Sequence, residues 1–479
     1  MAPTSTSTDS VTMATARSSL PCGGNVSALD SRLFRTMLGN DEMRAIFSDE
    51  AFVAALVEWE VTLARVQGKL DIIPTWAARG IAEQADASKL DMNALREKHD
   101  IVGYPIVGLV EQLSKLCGES GRYLHWGTTT QDVMEGATVL QVKRGLDVLD
   151  RQLDEVRRLL VGLATKHRDT IMIGRTHLQQ ALPVTFGYKC AVYLSALDRH
   201  KERLAQLRPR VLMAQFGGGS GSAASLGGRC ADGAPPLGLQ VLAGLADDMG
   251  LEEPPICWHV ARDGIAELVS LLANIGGSLG KMALDFSIMC SDEFAELREP
   301  FVPHRGASST MPHKRNPIAC EVILALCKLL RNHASLATDA LLSDFERATG
   351  PWHLEWVAVP ESFVYLSQSL AQAAFLLSGL EVDEEAMKRN LDLSNGLITA
   401  EHVMTAIAPT TGRVPAHDII YEAAKRSRET RTSLYDILSH DAKVAKILND
   451  EQLRYYTDPR NYLGACPDMV DRVIGSRSR

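Results

Sequence analysis

Between residues 139 and 163 the apolar positions fall at Val139, Val142, Leu146, Leu149, Leu153, Val156, Leu160 and Leu163, in alternating steps of three and four. That spacing keeps one stripe of a helix apolar and predicts a heptad seam. At 1.5 Å per residue the span is roughly 40 Å long, more than a small domain can cover, so it belongs in a helical bundle that can extend into partner subunits. Three more segments read as helix: 183–207, with Pro183 near its first turn; 259–290, apolar with glycine breaks; and 317–340, which starts at Pro317 and runs "IACEVILALCKLL". Near the amino terminus, "SDEAFVAALVEWEVTLARVQGKLDIIP" opens on a Ser48 cap and closes at Pro74. Period-two alternation is scarce, so the pattern predicts an all-α chain with at most a small sheet.

The pattern changes near residues 130 and 380. It predicts a tail over 1–30, an amino-terminal helical domain over 31–130, a central long-helix bundle over 131–380, and a small helical domain over 381–479. The last begins with the short amphipathic run "EVDEEAMKRNLDLSNGLITAEHVM".

Composition narrows the class. A chain of 479 residues, 46% hydrophobic, can bury a large core. Its net charge of −9 argues against a nucleic-acid footprint, which needs a surplus of Lys and Arg on one face. The nine cysteines contain no CxxC pair and most sit in apolar runs, the pattern of buried reduced thiols in a cytoplasmic protein. Uncharged apolar runs stop short of the ~20 residues that span a bilayer, so no membrane segment is expected. The Ser- and Thr-rich first thirty residues lack the apolar stretch of a signal peptide and read as a disordered tail. Metal ligation and cofactors are not expected, because HExxH and Cys–His grids are missing from the chain. "FGGGSGSAASLGG" lacks the Lys-Ser/Thr ending of a phosphate loop and reads as a turn or flexible loop.

Chemistry concentrates in a few polar stretches. "RGASSTMPHKRNP", residues 305–317, combines Gly306 for close backbone approach, the hydroxyls of Ser308 and Ser309, and the donors Lys314 and Asn316. Such donors suit a carboxylate; taken alone, the stretch serves equally well as a surface turn capping helix 317–340. "LHWGTTTQD", residues 124–132, precedes the heptad helix, whose first N–H groups can hold an anion or simply be capped. "GRTHLQQALP", residues 174–183, and "EKHDIVGYP", residues 97–105, add His177 and His99 in similar settings. These stretches are expected to converge on one site.

From about residue 33 the chain resembles the fumarase/aspartase superfamily of lyases. "GASSTMPHKRNP" is similar to the signature loop, "HWGTTTQD" to the threonine-serine segment and "GRTHLQQALP" to the catalytic His segment. "QQALPVTFGYK", "AQFGGGSGSAASLG", "GPWHLEWVAVPES" and "LITAEHVMTAIAP" resemble the branch of 3-carboxy-cis,cis-muconate cycloisomerases and their relatives. The resemblance implies proton abstraction next to a carboxylate, expulsion of a group from the neighbouring carbon, and usually fumarate as product. It implies Ser308 as base, with Ser309 the second candidate; His177 as acid, oriented by Glu321; and Lys314, Asn316 and loop amides around the developing double negative charge. Thr128, Thr129 and Gln179 would bind the carboxylates of a small dicarboxylate. His99, His125, Arg175, Arg305 and Met311 would complete the pocket. Family members are homotetramers with a twenty-helix core and sites drawn from three subunits, and the resemblance implies no metal or cofactor.

Departures narrow the substrate. Adenylosuccinate lyases place an Arg where "GNDEM" has Asn40, and an "Arg-Asp…Ser-Ser…Arg" run where this chain reads "WHLEWVAVPES", so phosphate donors are missing twice. Trp352 and His353 read as helix-packing groups. Some cycloisomerases replace the catalytic His with Trp, whereas His177 and Glu321 are both present here, which favours elimination. The expectation is a lyase releasing amine or nitrite from a substituted succinate, a nitrosuccinate lyase-like reaction in the second case. Lactonisation of carboxymuconate and a non-catalytic structural role are the alternatives.

Overall fold

A computed structural model describes residues 26–228, 233–347 and 350–475; most of the expected tail, together with Cys22 and Cys230, lies outside the described residues. Five long helices dominate: α1 (Thr130–Lys166), α2 (Phe186–Val211), α3 (Asp263–Met289), α4 (Ile318–Asp339) and α5 (Pro351–Ser378). The seam from Val139 to Leu160 is buried along α1, with Leu163 half-buried at its end. These residues pack chiefly against α2 and α5, because a continuous apolar stripe loses contact with water only against other helices. At 37 residues α1 is about 55 Å long. Its start is set by a capping box in which Thr129 and Asp132 exchange side-chain and backbone hydrogen bonds.

One predicted helix start moves. Pro183 opens no helix; it pairs with Ile173 inside a hairpin of β1 (Ile171–Thr176) and β2 (Gln179–Thr185), and α2 begins after the Thr185 cap, whose Oγ1 accepts from the Tyr188 amide at 3.0 Å. A two-residue turn, His177-Leu178, joins Thr176 to Gln179, and its two residues have φ of 52° and 60°. Those angles match the twist of a tight hairpin but usually call for Asn-Gly. Their placement on His-Leu hid the hairpin from pattern reading, so the stretch expected as a helix-preceding loop is a strand pair. His99 likewise sits in the last turn of the helix Met92–Val102.

The other starts agree more closely. Ser48 caps Asp49–Lys69 through the Ala51 amide at 3.2 Å, and Pro317 is the cap of α4. A second short sheet pairs β3 (Leu297–Arg298) with β4 (Glu381–Val382). Three larger apolar clusters form, one among α1–α5, one around Asp49–Lys69 and Leu237–Met249, and one from Val403 to Leu453. The seven described cysteines are free thiols, and burial pushes that of Cys190 up to about 12. Among the described residues no helix is long and apolar enough to cross a membrane.

Candidate active site

The loop ahead of α4 is closed by its own backbone. Gly306 has φ of +72° and its carbonyl accepts from the Asn316 amide at 2.9 Å; a Cβ there would stand 2.4 Å from the Asn316 carbonyl oxygen. Within that closure Ser308 Oγ accepts from the amides of Met311 at 3.1 Å and Thr310 at 3.3 Å. Two N–H groups aimed at one hydroxyl oxygen favour its ionised form. Ser309, Met311 and Lys314 are exposed, and Asn316 is half-buried. Arg305 is held differently: its guanidinium donates to Gln372 Oε1 at 2.9 Å and lies 4.3 Å over the Phe375 ring, which anchors the loop to α5. The first amides of α4 are also taken, since Glu299 accepts from Ala319 at 3.1 Å and Cys320 at 2.9 Å.

The start of α1 carries a denser network. Asp132, fully buried, accepts from Thr128 Oγ1 at 3.1 Å, the Thr129 amide at 3.0 Å, and the Gly217 and Gly218 amides at 2.9 Å each. The glycine loop therefore cradles a carboxylate of the protein itself. His259 Nε2 adds a contact of 2.7 Å to Asp132. Burial works against the charged form of His259, but Asp132 together with Cys257 outweighs it and the pKa is pushed up to about 9. Thr128 has given its one proton to Asp132. Thr129 Oγ1, by contrast, accepts within the capping box and from Arg347 Nη2 at 3.5 Å, which leaves its proton for a ligand.

Arg347 and His259 are absent from the sequence-derived set, and Asp132 entered it only as part of the stretch 124–132, with no role of its own. Arg347 is a half-buried cation that also donates to the Gly219 carbonyl at 2.7 Å. A lone Arg in a loop carries no pattern, whereas Asp132 could have been read from its capping-box spacing to Thr129. On the same side, His125 has φ of 60° and its Nδ1 lies 2.6 Å from Glu60 Oε1. Burial opposes the imidazolium there too, and Glu60 more than offsets it, so the His125 pKa stands above its usual value.

On the hairpin, Arg175 makes a two-pronged pair with buried Glu296 at 2.9 and 2.6 Å and covers the Phe294 ring at 4.4 Å. That arrangement locks β1 to the segment before β3. His177 and Gln179, beyond it, are exposed at the tip, and His177 borders a cleft of about 760 Å³. Glu321, on the first turn of α4, is exposed. Among the described residues no hydrogen bond or ion pair joins His177 to Glu321 or Ser308 to His177. One chain thus brings together the threonine segment, the glycine loop and Arg347, but leaves the hairpin tip and the signature loop apart. Asn40 caps its own helix through the Met43 amide at 3.0 Å and donates to Ser367 Oγ at 2.6 Å, so it has a structural occupation.

Comparison with known proteins adds identity to this geometry. Residues 35–330 match the family model described as lyase, and residues 396–473 match the adenylosuccinate lyase C-terminus. A crystal structure of fumarate lyase from Mesorhizobium sp. BNC1 superposes with a TM-score of 0.85 at 52% identity, covering 92% of this chain and 99% of that one. Trans-aconitate decarboxylase 1 of Mycosarcoma maydis is 40% identical over 92% of this chain and 88% of its own length. The 3-carboxy-cis,cis-muconate cycloisomerase of Pseudomonas aeruginosa is 38% identical over 93% and 96%.

Proposed function

The chain belongs to the fumarase/aspartase superfamily of lyases, and from that premise we propose that it eliminates a nitrogen group from a substituted succinate to give fumarate. In this reading Ser308 removes the proton next to a carboxylate, the carbon–nitrogen bond breaks, its electron pair leaves with nitrogen, and His177 supplies a proton to a departing amine. The observation that carries it is the pair of amides donating to Ser308 Oγ, because a serine can act as a base only where its alkoxide is stabilised before substrate arrives. Lys314, exposed beside it, and Asn316 supply donors for the doubly charged carboxylate of the transition state. Thr129 and Arg347 supply donors for the other carboxylate.

What supports the acid role of His177 is its exposure at the hairpin tip, where it borders the cleft of about 760 Å³. Neither His177 nor Glu321 has a side-chain hydrogen bond or ion pair among the described residues, which leaves both available in the proposed homotetramer, where subunits complete each site.

A panel of aspartate, nitrosuccinate, malate, argininosuccinate, adenylosuccinate and carboxymuconate, followed by ultraviolet detection of fumarate, tests the reading. We expect fumarate from an amino- or nitrosuccinate and none from adenylosuccinate; absence of fumarate from every succinate would overturn it. Lactonisation is the second reading, favoured by the 38% identity to a cycloisomerase. It predicts loss of carboxymuconate absorbance with no fumarate formed.

A further inference from the structure

Beside α1, below its threonine cap, lies a cavity of about 320 Å³ closed on one side by the first two turns of α5. Met134, Thr138 and Gln141 of α1 line it, one face of the helix starting about 8 Å along the axis from Thr129. Its wall is aromatic. Trp352 is 5% exposed, stacks on Tyr104 at 5.8 Å and meets Trp356 edge-on at 5.2 Å, so the two indoles are held rigidly. Its charge is negative. Glu135 and Glu355 line the cavity and share one buried cation behind it, Arg262, whose Nε is 2.9 Å from Glu355 and whose Nη2 is 3.0 Å from Glu135. Two carboxylates face one guanidinium; burial, with Glu135 beside it, pushes the Glu355 pKa up against the pull of Arg262, so the clearer unbalanced carboxylate is that of exposed Asp49 at the rim. Lys and Arg are missing from the lining, which is completed on this side by His99.

From this cavity we infer that the departing end of the substrate enters here and that the site selects one bearing a positive charge, such as an ammonium-tipped alkylamine. The inference rests on the nitrogen-elimination reading. An indole face and an unbalanced carboxylate both attract an alkylammonium ion, and both repel a phosphate or carboxylate. A chain of a few carbons spans the distance from the threonine cap, and the volume suits a small organic group.

The test uses the full-length protein and a matched pair, N-butylaspartate and N-(3-aminopropyl)aspartate, which differ only in the terminal methyl or ammonium group. We expect kcat/KM for fumarate release to be at least tenfold higher for the ammonium member, and Asp49→Lys, an exposed change that leaves the buried triad intact, to lower that ratio several-fold. A ratio near one overturns the inference while leaving elimination standing. If neither compound is turned over, tryptophan fluorescence decides the cavity: saturable quenching by butylammonium but not by butyrate supports the inference, and equal responses, or none, overturn it. The nitrogen reading itself fails only where fumarate comes from a nitrogen-free succinate such as malate alone.

Discussion

In the proposed reaction Ser308 and His177 have separable roles, and substitution distinguishes them. Ser308→Ala removes the oxygen on which the Thr310 and Met311 amides converge, and turnover of any succinate should fall by roughly a thousandfold or more. His177→Ala should cost about 10²–10⁴ in kcat for an amine substrate, the usual share of a positioned acid, but little for nitrosuccinate, because nitrite leaves without a proton. Steady-state kinetics on both substrates reads the difference; equal collapse on nitrosuccinate excludes the acid role assigned to His177. At this scale the candidate residues were legible from residue types at fixed spacing. What was not legible is commitment: Arg175 and Arg305 look like free cations in the sequence but are held by Glu296 and by Gln372 with Phe375. Arg347 looks like nothing there, yet stands against Thr129.

Elements hold those side chains in place through two devices that can be tested separately. Gly306→Ala would force a Cβ to 2.4 Å from the Asn316 carbonyl at a φ that disfavours side chains. Since the loop is exposed, we expect activity to drop at least tenfold with Tm nearly unchanged. The second device is the Asp132–His259 pair, which ties the start of α1 to the glycine loop and the segment before α3. Its pKa, raised to about 9, means the imidazolium is favoured in the folded state. That stabilisation is complete below the unfolded pKa near 6.5 and is lost as pH rises through about 9. The Tm gap between the protein and His259→Gln should therefore be widest near pH 6 and shrink towards pH 10; a gap constant with pH would exclude a charged His259. Helix α1 was readable because its seam obeys one period. The hairpin was not, since a His-Leu turn lacks the glycine that usually marks one.

At the scale of the whole molecule, no hydrogen bond or ion pair joins the exposed tip at His177 to the exposed Glu321 among the described residues, and the proposal that subunits complete each site carries its own prediction. Co-refolding Ser308→Ala with His177→Ala should restore roughly a quarter of the wild-type activity towards an amine substrate, because a random mixture pairs an intact Ser308 with an intact His177 in that share of composite sites. Each variant refolded alone should stay inactive. Activity absent from the mixture, with assembly intact by sedimentation, would place both groups on one chain.

The sequence by itself determined the helical class, the long seam of α1, the superfamily and the candidate signature loop, because each rests on local period or on residue types at close spacing. Only the tertiary structure decided which polar groups are already spent, since Asp132, Glu299 and Glu296 find their partners far along the chain or through backbone amides that carry no residue identity. It also joined α1 to α5 around one acidic, indole-walled cavity, a property of two helices crossing that neither segment contains alone.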